Sequence, residues 1–300
     1  MNMKSKKFFG LLLAFLVSSN ACALTKEELA CNDLLEKGES EKALQQADNI
    51  LKVDPKSASA LICRGRAFNL QEKPELAIQA FKQVETSTQD TYDRTVALIL
   101  IGNNYNRLHK YPEAITAYES AQEMSGKYQQ LKLFAFMSLG DVQDANNNLA
   151  AALDAYQKAH ALSMNDNERG ETASKLAATY VKLKQYDLAV ENQVKAYLMM
   201  EKAGTLDQYA QASVTLGRDY YLNKNYEIAE KTLNKIISFA KERGGAFYEA
   251  QGSYVLALVK AAQNDQATAK KLVEYAKKIA LETKDQALQQ EIEQETKAIF

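Results

Sequence analysis

The 300-residue sequence is poor in helix breakers, with three prolines and twelve glycines. Alanine, leucine, lysine, glutamine and glutamate are abundant in their place, which describes an all-helical chain. No stretch pairs strict alternation with β-branched residues, so strands are not expected. Histidine is scarcer still: His109 and His160 are the two copies, and neither has cysteines near it at metal-ligand spacing. They read as a solvated turn residue and a helix-surface residue. The signatures G-x-S-x-G, H-E-x-x-H, G-x-G-x-x-G and the phosphate-binding P-loop are all absent. No catalytic, cofactor-binding or metal-ligating set emerges, and a non-enzymatic protein is expected.

Long apolar runs are also missing beyond the start of the chain. Residues 1–7 carry three lysines and no acid, residues 8–17 are almost wholly apolar, and Ala21-Cys22-Ala23 follows. That order is the charged region, apolar core and small-residue cleavage site of an export leader, with cleavage expected after Ala23. The apolar core falls short of the roughly 20 residues a spanning helix needs. Cys22 raises lipoprotein processing as a lesser alternative, against which stands Ser19 where a leucine is usual. A periplasmic or secreted protein without a membrane span is expected. Removing the leader takes Lys4, Lys6 and Lys7 from the 37 basic residues and none of the 38 acidic ones, leaving a net charge of about −4. Such a balance gives no footprint for nucleic acid. Of three cysteines, Cys31 and Cys63 survive cleavage, and an oxidising compartment would allow them to pair; two buried thiols are the alternative.

The chain repeats itself. HKYPEAITAY (residues 109–118) returns as QYDLAVENQ (185–193) and NYEIAEKTL (225–233). A small residue is followed twelve positions later by alanine in the pairs Cys31/Ala43, Gly65/Ala77, Gly102/Ala114, Gly140/Ala152, Ala177/Ala189, Gly217/Ala229 and Ala257/Ala269. Bulky residues recur three after the small position, as at Phe68, Tyr105, Tyr180 and Tyr220, and four after the alanine, as at Phe81, Tyr118 and Tyr156. Small residues let two antiparallel helices approach, and bulky ones fill the flanking space. One such hairpin cannot bury its apolar face alone, so neighbours must stack.

This pattern resembles the tetratricopeptide repeat (TPR) family, whose helix A carries small-x-x-aromatic and whose helix B carries A-x-x-x-aromatic-x-x-A. Gln143 and Lys260 depart from the helix-A aromatic and Gln193 from the helix-B one. The resemblance implies a right-handed α-solenoid of stacked antiparallel hairpins. Seven repeats would fill 24–282, starting near 24, 58, 95, 133, 170, 210 and 250, with a capping helix at 283–300. Phe300 reads as a closing apolar contact.

The resemblance also implies where to look for binding. Positions one and four after the small residue line the concave groove of this family. Here they bring Arg66, Asn69, Asn103, Asn106, Asp141 and Asp144 to one surface with Arg107, and Arg218 with Tyr221 further along. Asparagine amides both donate and accept, matching an extended peptide backbone, while arginines select acidic groups. The carboxylate-clamp pattern that grips chaperone C-termini is not reproduced, since Ile62 and Ile99 stand where lysine is expected. The expected role is a protein- or peptide-binding scaffold of the cell envelope. The alternatives are an assembly factor acting through its convex face or by end-to-end self-association, and an enzyme with an unrecognised site.

Overall fold

Nine times among the described residues a helix ends on a residue held at positive φ. Gly38, Glu72, His109, Asn147, Lys184, Lys224, Gly244, Asn264 and Lys284 have φ between 56° and 76°. Around His109 the amide of Lys110 donates to the Tyr105 carbonyl, and that of His109 to Asn106. The same two bonds recur at the other turns, for example Lys73 to Phe68 with Glu72 to Asn69. This left-handed cap satisfies carbonyls that the helix leaves open and reverses the chain within three residues. His109, placed at a turn by the sequence, is one of these caps.

A computed structural model of the chain describes residues 26–297 and 299. The expected leader at 1–23, Cys22 and Phe300 lie outside the described residues. Fifteen helices follow one another there, and no strand occurs among the described residues. They form two compact units that divide between Leu162 and Ser163.

In the first unit the hairpins are α1 (Lys26–Glu36) with α2 (Ser40–Val53), α3 (Ala58–Leu70) with α4 (Pro74–Ser87), α5 (Thr91–Arg107) with α6 (Tyr111–Met124), and α7 (Gln129–Ala145) with α8 (Leu149–Leu162). In the second they are α9 (Asp166–Lys182) with α10 (Tyr186–Ala203), α11 (Leu206–Leu222) with α12 (Tyr226–Arg243), and α13 (Ala246–Ala262) with α14 (Gln266–Glu282). A single helix, α15 (Gln286–Thr296), follows, packed on α13 and α14. Within each unit the second helix of one pair packs on the first of the next, as α4 does on α5 and α12 on α13.

The two helices of a pair start differently. First helices tend to carry side-chain caps: Ser57 accepts from Ala60, Asp90 from Tyr92 and Asp93, Asn165 from Glu168, and Thr205 forms a capping box with Gln208. Second helices mostly lack them, because the preceding turn already fixes their entry; Pro74 and Pro112 sit in the first turn of α4 and α6, where an N–H is not needed. From α5 onward the first helix has 17 residues against 13 in α3. It therefore begins four residues ahead of each expected start, at Thr91, Gln129, Asp166, Leu206 and Ala246. The added turn is polar in α5 (TYDR) and α9 (DNER) but largely apolar in α13 (AFYE), so it carries no repeat signal.

The core follows the small positions. A Cβ placed on Gly65 would lie 2.6 Å from Cζ of Phe81, on Gly102 2.5 Å from Cε1 of Tyr118, and on Gly217 2.5 Å from Cδ2 of Leu233. Phe81, Tyr118 and Leu233 are buried to 1% exposure or less. Glycine here makes room rather than flexibility. A disulfide joins Cys31 in α1 to Cys63 in α3, with Cα atoms 6.0 Å apart.

Candidate functional site

In the first unit the glycine gap has a second effect. The ring of Tyr118 comes from α6, crosses Gly102 of α5, and its hydroxyl donates to Oδ1 of Asn103 at 2.7 Å. One repeat on, Tyr156 of α8 crosses Gly140 of α7 and donates to Oδ1 of Asp141 at 2.6 Å. Tyr118 also feels the Asp141 charge. Burial first, then Asp141, pushes both phenols above the usual tyrosine range, so both stay protonated donors. Tyr118 with Asn103 and Tyr156 with Asp141 thus form a ladder of two bonded pairs one repeat apart, and the Asp141 charge acts on both hydroxyls. Sequence patterning assigned the two tyrosines to the core alone. The ring is core, but its hydroxyl bonds the face residue that follows the glycine.

The remaining expected residues differ in burial and in what they touch. Arg66 donates through Nη1 to Oδ1 of Asn32, and burial lowers its pKa from the ordinary arginine value. Asn69 is half-buried, and its Oδ1 has no hydrogen-bond partner among the described residues. Asn106 and Asp144 are half-buried, and Arg107 is exposed at the end of α5. Asn104, which the register did not single out, is fully buried beside them, with Nδ2 donating to the Leu100 carbonyl at 2.8 Å and Oδ1 unpaired. A shallow depression of about 340 Å³ lies elsewhere, along Glu41, Gln45, Asp48 and Lys52 of α2, and includes none of the face residues.

In the second unit Arg218 and Tyr221 lie on α11, and α15 faces them. Arg218 donates through Nη1 to Oε2 of Glu295 at 2.9 Å and through Nη2 to the Tyr254 hydroxyl. Its guanidinium carbon stands 5.5 Å from the Tyr254 ring centroid. Tyr254 in turn donates to Oε1 of Glu291, which also accepts from Nε2 of Gln251 at 2.9 Å. Burial alone would lower the arginine pKa, but Tyr254, Glu295 and Glu291 outweigh it and raise it. Glu295 is 77 residues from Arg218 in the chain, and no local pattern announces the meeting.

The histidines are placed on separate helices and turns. His109 is exposed and lies 3.0 Å through Nδ1 from the Tyr111 hydroxyl; His160 is half-buried on α8. Among the described residues, no group of three or more His, Cys, Asp or Glu could hold a metal ion, and no helix is long and apolar enough to cross a membrane.

Two family profiles match the sequence: "Psidin, N-terminal TPR repeats region" over residues 30–161 and "Tetratricopeptide repeat" over 168–242. The chain is a tetratricopeptide repeat protein. Its all-α fold is the helical-repeat solenoid of that family, and a TPR fold is a scaffold for protein–protein interaction. The chain is similar to a chain of known structure in the APC/C hetero-tetramer Cut9–Hcn1, at 18% identity and a TM-score of 0.59 over 89% of this chain. It spans about half (48%) of that relative's length. The C-terminal part of a TPR repeat-containing protein from Cytophaga hutchinsonii is similar at 15% identity and TM-score 0.62, over 84% of this chain and 95% of that one. Pseudomonas aeruginosa pilF is similar at 18% identity and TM-score 0.56, over 90% and 96%. At these identities the likeness is one of fold. No curated protein matches the sequence.

Proposed function

We propose that this TPR protein is a non-enzymatic, exported scaffold that binds a protein or peptide along the A-helix face of its first unit. The observation that carries this reading is the ladder of two bonded pairs, Tyr118 on Asn103 and Tyr156 on Asp141. It holds the face side chains in fixed orientations, so that a partner finds a preorganised surface and less ordering entropy is lost on binding. Asn69, Asn106 and Arg107, outside the ladder's bonds, supply amide groups for a peptide backbone and a guanidinium for an acidic side chain. Export is supported by the leader-like residues 1–23 and by the Cys31–Cys63 disulfide, which persists in an oxidising compartment.

Asn106→Ala with Arg107→Ala tests the face without touching the ladder. The double variant should keep the wild-type melting temperature and lose about tenfold or more in affinity for a partner recovered by the wild type. Unchanged affinity would move the binding surface away from these helices.

A further inference from the structure

Glu291 and Glu295 lie one turn apart on α15, on the same stripe as buried Leu288 and Ile292. Both carboxylates are received by side chains of earlier repeats: Glu295 by Arg218, and Glu291 by Tyr254 and Gln251. Arg218 follows Gly217 directly, which is the register Asn103 holds after Gly102 and Asp141 after Gly140. The α15 helix therefore bonds the A-helix position that Asn103 and Asp141 hold in the first unit.

We propose that Arg218, Gln251 and Tyr254 form a receptor for an acidic helical segment, and that α15 is its built-in occupant. A partner with two carboxylates one helical turn apart binds this site by displacing α15. The inference deepens the protein-binding reading and rests on it.

Three features support a replaceable occupant. Arg218 divides its fork between Glu295 and the Tyr254 hydroxyl, so neither carboxylate of α15 is held by both of its arms; a partner carboxylate can take the stronger two-pronged geometry. Gln251 keeps its Oε1 buried with no hydrogen bond, leaving an acceptor that a partner donor would satisfy. The helix itself has 11 residues and hangs on one tight turn at Lys284, with Leu288, Ile292 and Thr296 as its buried residues. A helix of that length is marginal once detached, so release amounts to local unfolding of a terminal element. The tether keeps α15 at high effective concentration, so the intact chain resists weak competitors.

The probe is a fluorescein-labelled synthetic peptide KDQALQQEIEQETKAIF, the sequence of residues 284–300. Anisotropy titrations should show little binding to the wild-type chain and at least tenfold tighter binding to Glu291→Gln/Glu295→Gln, whose own helix no longer competes. Adding Arg218→Gln to that variant should abolish the gain, as should the same two substitutions made in the peptide. Equal binding by the double variant and the wild type, or by the double and triple variants, overturns the proposal. Hydrogen exchange on the wild-type chain needs no variant to fold: α15 amides should exchange at least tenfold faster than those of α13, and exchange of both as one block also overturns it. Either failure leaves the Asn106/Arg107 test in the first unit intact, so the two readings fail separately.

Discussion

The Tyr118 ring lies against the backbone of Gly102, in the space that a side chain at position 102 would fill. The relationship recurs with compensating sizes: Gly65 faces Phe81, Gly140 faces Tyr156 and Gly217 faces Leu233. Where the first residue is alanine, the register partner is Gln193 for Ala177 and Val273 for Ala257. Space removed on one helix is returned by the other, so each pair packs at the density of an ordinary interior.

Gly102→Ala should therefore cost about 1–3 kcal/mol, because the new methyl overlaps a ring that has no room to retreat. Combining it with Tyr118→Val, the pairing found at Ala257 and Val273, should recover part of that loss. Denaturant melts of the two single variants and the double variant give the coupling, and strict additivity would show that the contact does not set the packing.

The turns offer a stabilising change. Lys184 and Glu72 hold φ of 58° and 59°, a region that strains any residue with a Cβ. Lys184→Gly should stabilise the protein by about 0.5–1 kcal/mol, read as a raised melting temperature. A loss of stability would mean that the Lys184 side chain carries more than its backbone geometry shows.

Much of this architecture is legible in the sequence, for a physical reason. A repeat must bring the same small residue under the same large one in every hairpin, so Gly102, Ala114 and Tyr118 stand in one register with Gly140, Ala152 and Tyr156. Residues that merely lengthen a helix face no such constraint. Thr91 and Asp93 at the start of α5 are polar and unpatterned, and the expected boundaries missed that turn. Contacts between distant residues are hidden for the same reason: nothing local to Arg218 signals Glu295. The hydroxyls of Tyr118 and Tyr156 were obscured by the burial of their own rings.

Asp219 makes stability depend on pH. It is 3% exposed on α11, one Oδ2 is unpaired, and burial outweighs the Arg218 charge to push its pKa up to about 7. The unfolded chain releases this proton near pH 3.9. Between those values the folded state holds a proton that the unfolded state has lost; the associated stability is full below about pH 4 and gone above about pH 7. Asn104 holds the same register on α5, with its amide on the Leu100 carbonyl, so asparagine suits the site. Asp219→Asn should match the wild type near pH 4 and exceed it by up to about 4 kcal/mol at pH 8. Parallel pH profiles of the two proteins would contradict the buried-carboxyl account.

The disulfide closes a separation of 32 residues and ties α1 to α3. Removing it as Cys31→Ala/Cys63→Ala should cost about 3 kcal/mol by freeing the unfolded chain. Exchange protection should fall first in α1, an 11-residue helix at the edge of the first unit. Uniform loss of protection across the first unit would instead mark the bond as essential to the whole stack.

The most direct test of the binding account is a photocrosslinking comparison in living cells, with a photoreactive residue at Asn106 on the α5 face or at exposed Glu119 on α6. The account predicts a discrete protein adduct from position 106, absent from position 119 and lost when Arg107→Ala is added. Adducts from 119 alone, or from both positions equally, would contradict a binding surface on the A-helix face.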